Sequence, residues 1–156
     1  LLAIHKLLYF LQQAGEPLRL EFVKHKYGPY STNLNKVMHA IEGHFLLGYG
    51  DGGDDPSKSI EIFPGIVERT ASVLDRNPTT MHRTQRVINL MHRFETDFGL
   101  ELLATVHWVA SESDYPQNVD LLVDRVHLLN KQKQKFTKDD IQVAHQRLTE
   151  QGFLTP

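Results

Sequence analysis

Residues 48–58 read GYGDGGDDPSK. The first six letters satisfy G-x-G-x-x-G, the turn that carries a pyrophosphate in dinucleotide-binding folds. Taken at face value, they would make the chain a parallel α/β protein. A working fingerprint follows a strand and opens a helix, whose N-terminal amides hold the phosphate. Here Asp54, Asp55 and Pro56 follow, and then an apolar, strand-like run. Asp51 would also stand inside the phosphate cradle and repel its ligand. A calcium loop fails as well. With Asp51 in first place, an EF-hand needs Gly in sixth and Glu in twelfth, where this chain has Pro56 and Ile62. Gly and Asp are favoured in turns for backbone freedom and local hydrogen bonding. We therefore read a β-hairpin with arms at 45–49 and 59–63, and the α/β class falls away.

Outward from that hairpin the pattern is helical. Ile4, Leu7, Leu8, Leu11 and Ala14 recur at three- and four-residue steps, and Gly15 and Pro17 end the run. Residues 18–24 alternate loosely and suit a short strand. YGPYS at 27–31 reads as a turn with a ring on each side of Gly28-Pro29. Leu34, Val37, Met38 and Ile41 mark a helix from near Ser31 to Gly43. Helices are expected over 65–76 and 79–98, split by Asn77-Pro78. Another follows Gly99 through Leu102, Leu103, Val106 and Val109. The next runs through Val119, Leu122, Val123, Val126 and Leu129. The last begins at Thr137 with Asp140 three residues on, a capping box, with Phe136 and Ile141 as its staple, and it ends at Gly152. The expected fold is a mostly α, α+β, compact multi-helix domain with one small β-hairpin.

The chain has 156 residues and no cysteine. That length suits one domain, spanning 1–156, with a sizeable core. The lack of thiols excludes disulfides and thiolate metal sites and suits a reducing, cytoplasmic setting. No apolar run approaches the roughly 20 residues of a membrane span. The opening LLAIHKLLYFL lacks Met and starts inside a helical stripe, so we expect a fragment of a longer protein.

Seventeen basic against nineteen acidic side chains leave a formal charge of −2, which gives no global grip on nucleic acid. The negative charge is segregated, however. Between Lys36 and Lys58 there is no Lys or Arg, but there are Glu42, Asp51, Asp54 and Asp55, with Glu61 just beyond. A second stretch, 94–124, has no Lys or Arg either and carries Glu95, Asp97, Glu101, Glu112, Asp114, Asp120 and Asp124. Aromatics interleave, Tyr49 and Phe45 in the first and Phe94, Phe98, Trp108 and Tyr115 in the second. Carboxylates beside rings can imitate phosphates beside bases. A groove for single strands uses the complement, basic side chains and stacking platforms. An ordinary acidic face is the plain alternative.

Three other constellations compete. His107, Ser111 and Asp114 share a helix face and suggest a hydrolase triad, but no nucleophile-elbow motif accompanies them. The nine histidines include no H-E-x-x-H zinc motif. The run KQKQKFTK at 131–138, with Lys24 and Lys26, could touch nucleic acid, but we read it as a solvated loop before a helix. We expect no catalytic centre, no metal and no cofactor.

HKLLYFLQQAGEP (5–17) followed by FVKHKYGPYSTNLNKVMHAIEG (22–43) resembles the Panacea, or SocA-like, antitoxin domain. IEGHFLLGYGDGGDDPSKSIEIFPG (41–65) and FETDFGLELLATVHWVA (94–110) resemble, more narrowly, the C-terminal domain of DarG antitoxins. The resemblance implies a partner, a DarT-like ADP-ribosyltransferase toxin that modifies single-stranded DNA. It further implies a preceding macrodomain that removes the modification, and a C-terminal domain that binds the toxin and blocks its DNA site; a domain that imitates DNA by its carboxylates is expected not to bind DNA directly, because like charges repel. On that implication the acidic and aromatic residues Glu42, Tyr49, Asp51, Asp54, Asp55 and Glu61 become the expected toxin contacts. Glu95, Asp97 and Glu101 form a second patch. These positions come from charge segregation, not from the resemblance.

Overall fold

The computed structural model describes residues 1–50, 53 and 55–156. Its elements run α1 (Leu2–Gln13), β1 (Phe22–His25), β2 (Gly28–Ser31), α2 (Leu34–Ile41), β3 (Leu46–Leu47), β4 (Glu61–Ile62), α3 (Ile66–Asp75), α4 (Pro78–Met91), α5 (Asp97–Ser111), α6 (Val119–Leu129) and α7 (Lys138–Glu150), with a 3-10 turn at Lys131–Lys135. This is the expected mostly helical α+β architecture. Each of two small sheets is an antiparallel pair, β1 with β2 and β3 with β4.

The centre is α5. Eleven of its fifteen residues are buried, and it packs against α1, β2, α6 and α7. Leu103, Ala104 and Val106 of α5 meet Tyr9 and Phe10 of α1, Leu122 and Val126 of α6, and Ile141, Ala144 and Leu148 of α7 in one cluster. Full burial of a side chain such as Leu or Val contributes about 1.5–3 kcal/mol. The other face of α1 serves a second, smaller cluster. There Ile4 and Leu8 pack on Leu34 and Met38 of α2 and on Leu46, Tyr49 and Ile60 of the second hairpin. Helix α1 is thus the shared wall of two cores.

The caps follow the sequence. Thr137 and Asp140 form a reciprocal capping box at α7, Thr96 Oγ1 accepts the Gly99 N–H at α5, and Asn118 accepts the Leu121 N–H at α6.

Three expectations are corrected. YGPYS is not a turn: Gly28–Ser31 pairs with Phe22–His25 in register His25 to Gly28, and the turn is Lys26-Tyr27. There are accordingly two hairpins, not one. The single helix expected over 79–98 is two, because Arg93 takes a left-handed φ of 73° and the chain restarts at the Thr96 cap. Gly99 does not separate helices but lies inside α5. A Cβ there would come within 2.7–2.9 Å of the Phe94 backbone, so the glycine permits the linker to fold back on the helix.

Candidate functional site

The second hairpin decides the glycine motif. Among the described residues no helix opens after the glycines; Asp55 begins a turn and the next helix is α3 at Ile66. Gly48 has φ 102°, and a Cβ there would lie 2.3 Å from the Ser59 carbonyl oxygen on the opposite arm. Its small size serves the crossing of two strands and not a phosphate.

Glu42 follows α2 directly and closes this loop. Its Oε1 accepts the N–H groups of Gly48 at 3.2 Å and Gly50 at 3.4 Å, and its Oε2 accepts that of Tyr49 at 3.2 Å. Tyr49 is 1% exposed. Its ring meets His39 edge to face at 5.1 Å, and the Lys58 ammonium lies 5.2 Å from its centroid while donating to its carbonyl oxygen at 2.7 Å. Tyr49, an expected toxin contact, is therefore an internal pin of the loop in this chain. Asp55 is exposed. The hydroxyl and N–H of Ser57 donate to it at 2.7 and 2.9 Å and hold its carboxyl below the usual range. Glu61 is exposed on β4, opposite Leu47. Asp51 and Asp54 lie outside the described residues.

In the second acidic stretch, Glu95 and Asp97 are exposed where α5 begins. Glu95 accepts backbone N–H groups and lies 3.7 Å from His92, and its carboxyl sits below the usual range for those reasons in that order. Glu101 is the exception. It is 3% exposed, and its two oxygens bind Lys133 at 2.5 Å and Lys135 at 2.7 Å. Its charge is neutralised inside the protein, so it leaves the surface set.

The same pair corrects the reading of 131–138 as a solvated loop. Lys133 is fully buried in the 3-10 turn, and burial lowers its pKa against the pull of Glu101. Near it Lys6, 2% exposed, donates to the Pro29 carbonyl oxygen at 2.7 Å, and burial together with Lys133 pulls its pKa down to about 7. Of the other basic candidates, Lys24, Lys26 and Lys131 are exposed, and Asn130 Nδ2 donates to the Lys26 carbonyl at 3.2 Å, which sets the two segments side by side.

The His107, Ser111, Asp114 group does not assemble as a triad. His107 Nε2 donates to the Phe153 carbonyl oxygen at 3.0 Å, which leaves Nδ1 as the acceptor of the Tyr9 hydroxyl at 2.7 Å. Ser111 Oγ is 3.5 Å from that occupied nitrogen, and Asp114 lies beyond the end of α5. Burial holds the His107 pKa at about 4, so the ring is a neutral structural link between α1, α5 and the C-terminal segment. Among the described residues no group of three or more His, Asp or Glu is placed to hold a metal. No described helix is long and apolar enough to cross a membrane.

One feature escaped the sequence reading. Phe45 of the second hairpin and Ile66, Arg69, Thr70 and Val73 of α3 enclose an open groove of ≈ 350 Å³. The helix expected over 65–76 forms as α3, yet none of its ten residues is buried. Nothing in their spacing distinguishes an uncovered stripe from a packed one.

No family model matches the chain. It is similar to proteins named DNA ADP-ribosyl glycohydrolase. The one from Thermus aquaticus is 36% identical over 155 residues, which is 99% of this chain and 42% of that protein. Those from Mycobacterium bovis and Mycobacterium tuberculosis are each 34% identical over 119 residues, 70% of this chain and 33% of theirs. The chain therefore spans well under half the length of these curated relatives.

Proposed function

We propose that this chain is the toxin-binding domain of a DarG-type antitoxin. It occupies the single-strand groove of a DarT-like ADP-ribosyltransferase with carboxylates standing in for phosphates. The observation that carries the reading is the segregated negative charge, from which we draw an acidic edge of Glu42, Asp55, Glu61, Glu95 and Asp97: 37–57 and 94–124 hold no Lys or Arg, and Lys58, at the end of the first stretch, is drawn inward onto Tyr49. The relatives' name supports it, because by the resemblance de-modification belongs to a macrodomain elsewhere in such proteins. A non-catalytic role agrees with the occupied Nδ1 of His107.

Rim charges steer association and set partner choice more than they set final affinity. The edge would thus speed docking and discriminate among basic grooves, and Glu42, by ordering the 48–50 backbone, would hold the loop in a docking-ready shape.

The test uses the chain, the DarT-like toxin encoded beside it, NAD and a single-stranded oligonucleotide. Equimolar chain should suppress labelling, and an oligonucleotide modified beforehand should stay modified. Unchanged labelling would refute the antitoxin role, and loss of label from the pre-modified strand would refute the non-enzymatic one. A mobility shift of the chain by the oligonucleotide alone would favour the Lys24, Lys26 and Lys131 face instead.

A further inference from the structure

Helix α3 is anomalous on energetic grounds. It has ten residues, and isolated helices shorter than about 12–15 residues are marginal in water. Most helices of that length are held by burying an apolar face. This one buries none of its residues completely and packs chiefly on α4. Its residues Ile66, Arg69, Thr70 and Val73 follow the i, i+3, i+4, i+7 spacing of a single face, and that face lines the groove whose other wall is Phe45. Val73 is 58% exposed and Phe45 45% exposed. Leu47 of β3, two residues on from Phe45, is also exposed, with Glu61 paired to it.

The surroundings define the occupant. From 37 to 69 the described residues carry Glu42, Asp55, Glu61 and Glu68 against Lys58, which is drawn onto Tyr49, and Arg69, which lines the groove itself. A groove with an aromatic wall, an aliphatic floor and one guanidinium suits an aromatic side chain, stacked between the ring of Phe45 and the planar head of Arg69. The acidic surround requires Lys or Arg around that ring on the partner. Basic side chains flanking an aromatic platform are the composition of a single-strand nucleic-acid groove.

We infer that the Phe45–α3 groove is the apolar half of the toxin interface and takes an aromatic stacking residue from the toxin's own DNA groove. The inference rests on the proposed antitoxin reading and deepens it: the carboxylate edge replaces phosphates, and the Phe45 ring and Arg69 replace the neighbouring bases. The central, desolvated anchor of an interface supplies most of its affinity, whereas the charged rim governs approach. Two kinetic signatures therefore separate the halves.

The experiment measures association and dissociation rates of the chain with the adjacent toxin at low and moderate salt, for the parent, for Phe45→Ser and Val73→Ser, and for Ile88→Ser and Val143→Ser. The last two remove apolar side chains of 55% exposure on α4 and α7. All four sites are exposed, so melting temperatures should match the parent. Phe45→Ser and Val73→Ser should each raise the dissociation rate tenfold or more with the salt dependence unchanged, and the controls should stay within twofold of the parent. A parent that binds while Phe45→Ser and Val73→Ser bind equally well would overturn the inference and leave the antitoxin reading standing. Sedimentation showing a dimer of the chain alone, dissolved by Val73→Ser, would assign the groove to a second copy and overturn it too. A parent that fails to bind the toxin removes the reading and the inference together.

Discussion

Helices α5 and α3 make opposite use of apolar residues. Eleven of fifteen α5 residues are buried, among them a glutamate and a histidine, whereas none of the ten in α3 is. On α5 two polar side chains face inward: Glu101 joins Lys133 and Lys135, and the neutral His107 joins Tyr9 to Phe153. Around α3 and the second hairpin, the carboxylates of Asp55 and Glu61 and the apolar Phe45, Leu47, Ile62, Val67 and Val73 are exposed. The difference separates a scaffold, whose polar groups hold the fold from inside, from an edge that leaves much of its apolar surface exposed.

The largest effect should come from the scaffold. Glu101→Gln leaves Lys133 buried beside an uncharged amide, and breaking a buried pair by removing one partner costs about 3–5 kcal/mol. Chemical denaturation should show that loss, and Glu101→Met combined with Lys133→Met should recover most of it. A loss below about 1 kcal/mol, the scale of a surface pair, would mean that the Glu101 cluster is not part of the scaffold.

Second in size is a pH effect at His107. Its folded pKa of about 4 lies below the unfolded value of 6.5, so the unfolded chain takes up the proton first. Stability should fall as pH drops from 6.5 to about 4 and level off below. At about 1.4 kcal/mol per pKa unit, the fall amounts to roughly 3 kcal/mol. Subtracting the pH profile of His107→Gln from that of the parent isolates this term, and parallel profiles would contradict the assignment.

The sequence carried much of this and missed the rest for specific reasons. Thr137 with Asp140 announced α7 because a capping box is local chemistry, complete within four residues. The 48–58 loop was also legible, since strand or helix context can be read from the flanks. Gly99 was misread because its role, the approach of the Phe94 backbone, is a contact that composition does not encode. YGPYS was misread because Gly and Pro mark a turn in isolation, whereas here Lys6 and the paired strand hold Pro29 extended. In the candidate site, charge sign was legible but depth was not. Glu95, Asp97 and Glu101 looked equivalent, and the third proved internal only because Lys133 reaches it from 32 residues away. Tyr49 looked like an anchor for the same reason. The Phe45–α3 groove was invisible because an uncovered helical stripe has the periodicity of a covered one.

Gly99 supplies the third test. Gly99→Ala forces a Cβ to within 3 Å of the Phe94 backbone, and overpacking of that kind costs about 1–3 kcal/mol. A melting temperature equal to the parent's would show that the linker before α5 yields freely and is not part of the scaffold. The smallest effect belongs to the edge. Val67→Ser on α3, at a site 65% exposed, should change stability by no more than about 0.5 kcal/mol. A larger loss would show that α3 is held by packing within the monomer and would erase the contrast with α5.

The central claim, that the acidic hairpin and α3 form the toxin-facing edge while α5 to α7 form the scaffold, is met most directly by hydrogen exchange with and without the DarT-like toxin. Added protection should concentrate in 42–50, 55–63 and α3, with the slowly exchanging amides of α5 and α7 unchanged. Protection centred instead on α7, or on Lys24, Lys26 and Lys131, with the second hairpin unaffected, would contradict the account.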